Sequence, residues 1–177
     1  RLFLLSVNPQ GEDMRFSWDG IEEMNRRLNI FWNVFRFPLP YMQIDDFDPM
    51  NVALGEVELE TIDKWILSRL QTVKQIAKTG WESFRQDQVL SAILEFIVED
   101  TSRYYIKVVR ERMWTDRDTK SKTAAYVTLH QILMESVILL APFAPFIAEE
   151  IYQNLTKSEG NLTVHMCDFP SIDVNLK

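Results

Sequence analysis

The stretch ILLAPFAPFIAEEIY, Ile138–Tyr152, decides how this chain folds, because its most apolar run is broken by Pro142 and Pro145. Neither proline can sit inside one continuous helix: each lacks an N–H donor, and its ring clashes with the preceding turn. One helix must end near Leu140 and another begin at Pro145, whose missing N–H would have had no partner in a first turn. Glu149 and Glu150 fall near the positive end of the new helix's dipole and are expected to cap it. The stretch predicts a tight corner between two packed helices.

Outward from this corner the pattern stays helical. The upstream helix is expected to start near Thr119 or Ser121 and to bury Ala125, Leu129, Ile132, Leu133, Ser136 and Leu140. The downstream one runs from Pro145 to Leu155. From Asp19 to Phe37, Ile21, Met24, Leu28, Phe31, Trp32 and Phe35 recur at three- and four-residue steps, the period of one helical face, with Asp19 as N-cap and Pro38 and Pro40 as stops. A helix from Thr61 to Phe84, capped by Thr61, turns Ile62, Trp65, Ile66, Leu70, Val73, Ile76 and Ala77 inward. Another, capped by Asp87, reaches Trp114 and buries Leu90, Ile93, Leu94, Ile97, Thr101, Tyr105 and Val108. Residues 39–60 form the one long loop. There is no internal repeat or low-complexity tract and no long alternating strand pattern, so the expected class is all-α, an antiparallel bundle of four to five helices.

Composition sets limits on function. The 177 residues suit about one domain, and 46% apolar with 12% aromatic content can build a sizeable core. The longest uninterrupted apolar run, Val137–Ala148, has 12 residues and both prolines, too short and broken to span a bilayer. The single cysteine, Cys167, excludes an internal disulfide and fits a reducing, cytoplasmic compartment, in which the Asn-x-Thr triplets at Asn154 and Asn161 are chance matches. The apolar opening RLFLLSVNPQ lacks the parts of a secretion signal, and a start at Arg1 reads as a cut from a longer protein. No catalytic or metal constellation is visible: there are five glycines and no phosphate-cradling loop, and His130 and His165 lack ligand-spaced partners. His130, inside a helix, reads as a packed or surface residue.

Charge is unevenly distributed. The total is −7, yet Thr101–Lys122 holds seven bases against three acids, 7 − 3 = +4, leaving −7 − 4 = −11 for the remainder. Asp45 to Asp63 holds seven acids and neither Lys nor Arg. On an α-helix Arg103, Lys107, Arg110 and Trp114 fall within an arc of roughly 60°, a basic stripe ending in an aromatic ring. Arg112 lies about 180° from Arg103, over the core, and is expected to be an ion-paired or snorkelling structural arginine. Arg26, Asn29, Asn33 and Arg36 make a polar face on the first long helix. Arginine, asparagine and tryptophan together suit single-stranded RNA, through phosphate, base edge and stacking. The same spacing also fits a solvated helix surface with a rim tryptophan.

Six blocks carry a resemblance: GEDMRFSWDGI (Gly11–Ile21), LNIFWNVFRFPLPYM (Leu28–Met42), DKWILSRL (Asp63–Leu70), RYYIKVVRERMW (Arg103–Trp114), LLAPFAPFIAEEIY (Leu139–Tyr152) and VHMCDFP (Val164–Pro170). In order and spacing they resemble the anticodon-binding helical domain of class I aminoacyl-tRNA synthetases, closest to the isoleucyl branch in its archaeal and eukaryote-like form. The valyl and leucyl branches are the alternative within the class, and a helical protein-interaction module using the acidic Asp45–Asp63 segment is the alternative outside it. The resemblance implies that residues 1–18 are the stem-contact connection from a catalytic domain. It makes residues 19–170 the anticodon-binding bundle and 171–177 the start of a linker to a further C-terminal region. It implies tRNA contact, for an isoleucine acceptor, by Arg26, Trp32, Asn33, Arg36, Arg103, Lys107, Arg110 and Trp114. It further implies a cytoplasmic monomeric ligase that attaches isoleucine to tRNA using ATP with magnesium, with its catalytic and editing domains elsewhere in the same polypeptide. The ATP-binding histidine-glycine motif and the signature loop are missing from this sequence, and Thr163 replaces the usual serine before Val164-His165. The chain by itself is thus expected to hold no cofactor and no catalytic residue.

Overall fold

The periodic apolar stretches fold as helices throughout the computed structural model, which describes residues 1–9, 11–115, 120–157, 160–173 and 176. The elements are α1 (Leu2–Ser6), α2 (Trp18–Arg36), α3 (Leu39–Ile44), α4 (Thr61–Glu82), α5 (Gln86–Glu95), a π-helical stretch (Phe96–Tyr105), α6 (Ile106–Trp114), α7 (Lys120–Leu140) and α8 (Pro145–Thr156). Since α5, the π stretch and α6 are continuous, five long rods form an antiparallel all-α bundle, with no strand among the described residues. The expected start of α7 at Thr119 lies outside the described residues. Residues 39–60 depart from the expected loop: they form α3 and two single turns, Pro49–Asn51 and Leu54–Glu56.

The corner between α7 and α8 is built as the prolines require. Phe143 and Ala144 donate their N–H groups to the Leu140 carbonyl at 2.9 and 3.0 Å, Pro145 opens α8, and the Phe143 ring stacks on Trp81 of α4. Glu149 does not cap this helix. Its carboxylate accepts from Gln153 Nε2 (2.7 Å), Thr163 Oγ1 (2.7 Å) and the Val164 N–H (2.9 Å), tying the chain after α8 back onto it. These hydrogen bonds, that from Gln153 first, hold its pKa below the usual carboxylate value. Glu150 binds the Asn154 amide instead of a free backbone N–H.

Three other expected caps move, because another residue holds the capping position or a partner takes the side chain first. Ser17, in extended conformation, accepts from the Gly20 N–H at 3.2 Å and caps α2, placing Asp19 inside its first turn. Gly20 must stay small, since a Cβ there would lie 2.4 Å from the Phe3 ring of α1. Glu60 precedes α4 and donates its N–H to Asp63 Oδ2 at 3.1 Å, so Thr61 is the first helical residue. Asp87 is taken by the Arg85 guanidinium, at 3.0 and 2.9 Å, and sits in the first turn of α5.

Two expected core residues are exposed, Val108 and Ile76. Along the third rod burial advances in steps of four, through Ile97, Thr101, Tyr105, Val109 and Met113, because the π stretch widens the turn beyond the α-helical period. Val109 therefore takes the inner position, and Val108 is 44% exposed. On α4, Asp63 and Lys74 lie about 60° and 80° to one side of Ile66 and Ile76 about 80° to the other. The buried arc is rotated toward those two charged residues, each buried, and away from Ile76.

Both buried charges of α4 are paired. Asp63, at 0% exposure, accepts from Arg112 Nη1 and Nη2 at 2.9 Å each and from the Tyr105 hydroxyl at 2.6 Å. Arg112 is thus the ion-paired structural arginine its position on the helix predicts. Burial pushes the Tyr105 phenol well above its ordinary pKa, so it stays a donor. Lys74 Nζ meets Glu135 of α7 at 2.8 Å and the Ser171 carbonyl at 2.6 Å, while Gln71 accepts from the Asp173 N–H at 2.9 Å, so residues 171–173 lie against α4. The α7 helix is long and apolar enough to cross a membrane, but 67% of its most apolar window is buried within the bundle. Ala125, Leu129, Ile132, Leu133, Ser136 and Leu140 are all buried as expected.

Breaking a buried ion pair leaves an uncompensated charge, so Arg112→Ala is expected to lower unfolding free energy by about 3–5 kcal/mol. Arg103→Ala, which removes an exposed pair with Glu99, should change it by at most about 0.5 kcal/mol. Urea titrations of the two variants against the parent chain check this contrast, and equal effects would remove the central role given to Asp63.

Candidate nucleic-acid interface

The eight candidate residues lie on two rods that pack side by side, α2 and the π stretch with α6. What joins their polar faces is Phe37, the residue after α2, over whose ring the Arg110 guanidinium sits 5.6 Å from the centroid. Such a contact fixes an arginine in place without neutralising it. No local pattern marks Phe37 for this role, because its partner is far along the chain.

The candidates divide by surroundings. Arg36, Lys107 and Arg110 are exposed, and no carboxylate among the described residues pairs with any of them. Asn33, one turn before Phe37, is exposed beside them. Arg26 pairs with Glu23 at 3.4 Å, farther back on α2. Arg103 donates to both oxygens of Glu99, at 2.7 and 2.9 Å. It also lies within the π stretch, so the α-helical arithmetic linking it to Lys107 does not hold there. Lys107, Arg110 and Trp114 keep α-helical spacing, and the stripe narrows to these three. Trp114 is 73% exposed, whereas Trp32 is half-buried and packs its ring on Phe35 at 5.4 Å between centroids. Trp114 has the free face a stacked base requires; Trp32 is chiefly a packing residue.

The acidic segment is largely taken up internally. Asp45 pairs with Lys122 and accepts from the Tyr126 hydroxyl at 2.6 Å, Asp48 pairs with Lys157 at 2.6 Å, and Glu56 accepts from the Ala53 N–H at 3.1 Å. Burial alone would raise the Asp45 pKa, but the hydrogen bonds from Lys122 and Tyr126 outweigh it and the net direction is down. The Lys157 ammonium likewise lowers Asp48. With Asp63 in the core, few of the seven acids remain for a partner protein, which removes the main support for an interaction module.

Comparison with known proteins identifies the family. Residues 63–177 match the family described as the anticodon-binding domain of tRNA ligase. The chain belongs to that family. Proteins named isoleucine–tRNA ligase are 62% identical over 98% of this chain in Natronomonas pharaonis, 55% over 100% in Halobacterium salinarum and 46% over 99% in Methanocella arvoryzae. The chain spans only 16–18% of the length of these relatives. In fold it is similar to the LeuRS of the crystallised LeuRS-tRNA-LeuAMS ternary complex from Agrobacterium radiobacter K84, with a TM-score of 0.72 and 23% identity over 99% of this chain and 19% of that one.

The two tryptophans should separate in a stability measurement. Trp32→Ala is expected to cost about 1–3 kcal/mol of buried apolar surface, and Trp114→Ala to stay within about 0.5 kcal/mol. Thermal melts followed by dichroism check this, and a large loss at Trp114 would make it a packing residue.

Proposed function

We propose that this chain is the tRNA-binding domain of an isoleucine–tRNA ligase, with Arg36, Lys107 and Arg110 gripping phosphates of the anticodon arm and Trp114 stacking on an unpaired base. The observation that carries this reading is the cluster of three exposed bases with no carboxylate partner among the described residues, joined through Phe37, in a chain of the anticodon-binding family. A polyanion satisfies that surface, and its counterion release drives binding. Asn33 is placed to contact a base edge, while Arg26 and Arg103 contribute only after giving up Glu23 and Glu99.

The domain's work is positioning. It fixes the anticodon arm so that the acceptor end reaches a catalytic domain in the rest of the polypeptide, which would also supply editing and bind ATP with magnesium. In this reading residues 1–18 lead in from the catalytic part, 19–170 are the bundle, and 171–177 lead out. The complete ligase acts as a cytoplasmic monomer. High identity to isoleucine–tRNA ligases supports isoleucine over valine or leucine.

Two measurements test this. Passing total tRNA over the immobilised chain should enrich isoleucine acceptors; enrichment of valine or leucine acceptors would reassign the amino acid. Changing Arg36, Lys107 and Arg110 together to alanine should reduce the salt slope of tRNA binding by about 2–3, while Trp114→Ala weakens binding with little change of slope. Wild-type slope in the folded triple variant would move the interface elsewhere.

A further inference from the structure

After α8 the chain crosses α4 in a definite direction. Lys74 Nζ donates to the Ser171 carbonyl at 2.6 Å, and Gln71 Oε1 accepts from the Asp173 N–H at 2.9 Å. The segment meets Lys74 first and Gln71 second, so it runs from the C-terminal toward the N-terminal half of α4. Those two residues are three apart on the helix, and Ser68, Trp65 and Ile62 continue the same row, one of the inclined ridges of a helix surface. Cover lapses along this ridge. Lys74 and Gln71 are 1% and 3% exposed, whereas Ser68, Trp65 and Ile62 are only half-buried.

The ridge ends in an uncharged seam between α4 and the third rod. Trp65 meets Tyr104 edge to face, with ring centroids 5.0 Å apart, and Tyr104 is 52% exposed. Ile62 and the exposed Val108 line one cleft of about 680 Å³ at the start of α4. Four large side chains from two rods thus form one contiguous patch. Its next rung is Arg69, four residues after Trp65, paired at 2.8 Å with Asp100, four residues before Tyr104. That pair is neutral and bounds the patch on one side. Aromatic side chains with little charge among them are what the centre of a protein–protein contact is made of. A polyanion has better partners on the neighbouring face of α6, where Lys107 and Arg110 are exposed.

We propose that this seam, Ile62, Trp65, Tyr104 and Val108, seats the part of the same polypeptide that follows Lys177. The inference rests on the reading of the chain as one domain of a longer ligase in which residues 171–177 lead out, and it adds the surface on which the outgoing region docks. The path argues for this occupant, because residues 171–173 are already fastened to the row that leads to Trp65. The chain spans only 16–18% of the length of its relatives, which leaves ample polypeptide in them to fill the seam. Lys74 and Gln71 are then the first fixed points of the outgoing region, and the seam is its second.

Hydroxyl-radical footprinting tests this by comparing the complete ligase with the same ligase cut after Lys177, both without tRNA. Tyr104 and Trp65 should lose most of their labelling in the complete protein, with Trp18, 73% exposed and outside the seam, as the reference that stays equal. Tyr104→Asp with Val108→Asp, at two exposed positions, should return Trp65 in the complete ligase to the labelling it has in the cut form of the same variant. If that variant melts early, the footprints of the two unsubstituted proteins decide. Equal labelling of Tyr104 in the two ligases, protection that arises only when tRNA is added, or a Trp65 that stays protected in the folded variant overturns the seam. Retention of tRNA by the complete ligase is measured in parallel. An unprotected seam with tRNA retained leaves the RNA-binding reading standing, and a protected seam in a ligase that does not retain tRNA overturns that reading alone.

Discussion

The bundle depends on one buried carboxylate. Asp63 has no contact with water, so its charge must be met by the protein, and two guanidinium nitrogens of Arg112 and the Tyr105 hydroxyl meet it at 2.9, 2.9 and 2.6 Å. The same carboxylate accepts the N–H of Glu60 and so sets the start of α4. Arg112 also donates to the Ser121 carbonyl, at the start of α7. One side chain thereby fixes three helices relative to one another. An unpaired charge in the same place would destabilise the fold by several kcal/mol, which confines the packing of α6 to one rotational setting.

That setting decides which way the interface faces. Tyr105 and Arg112 are seven residues apart, about two α-helical turns, and both point at Asp63. With that side of α6 committed to the core, Lys107, Arg110 and Trp114 are left outside, and all three are exposed. Arg110 then meets Phe37 at the end of α2, where Arg36 and Asn33 already stand. If RNA binds there as proposed, a basic surface held on two rigid rods has little to reorganise, and the ordering costs that weaken flexible binders are small. The pairs of Asp45, Asp48 and Asp63 with Lys122, Lys157 and Arg112 are neutral and leave the total at −7, so what matters for an anion is the local surface, where Arg36, Lys107 and Arg110 have no carboxylate partner among the described residues.

Much of this was legible locally. Proline chemistry alone placed the corner at residues 141–144, and three- and four-residue apolar spacing located all five long rods to within a residue or two. Arg112 was recognisable as structural because its angle on the helix put a charge over the core. The helix caps were less legible. Asp87 and Glu149 have the chemistry of caps, but Arg85 in one case and Thr163 with Val164 in the other claim their oxygens, and sequence spacing does not rank such competitors.

By itself the sequence determined the helical class, the order of the rods, the bend at Pro142 and Pro145, and the residue types on each polar face, since these follow from periods and backbone chemistry within a few turns. Tertiary structure decided which cations are free. Arg103 and Arg110 look alike in the sequence, yet Glu99 occupies one, while the Phe37 ring lies beneath the other. It decided the register of the third rod as well, where the π stretch moved burial from Val108 to Val109. It also brought Pro38, His130 and Lys157 around one cleft. For Arg110 and for the cleft the balance is set by partners on other elements, whose approach depends on how buried charge and side-chain volume are accommodated across the whole core, whereas Glu99 lies only four residues from Arg103 on the same rod, where the π stretch rather than sequence spacing sets their approach.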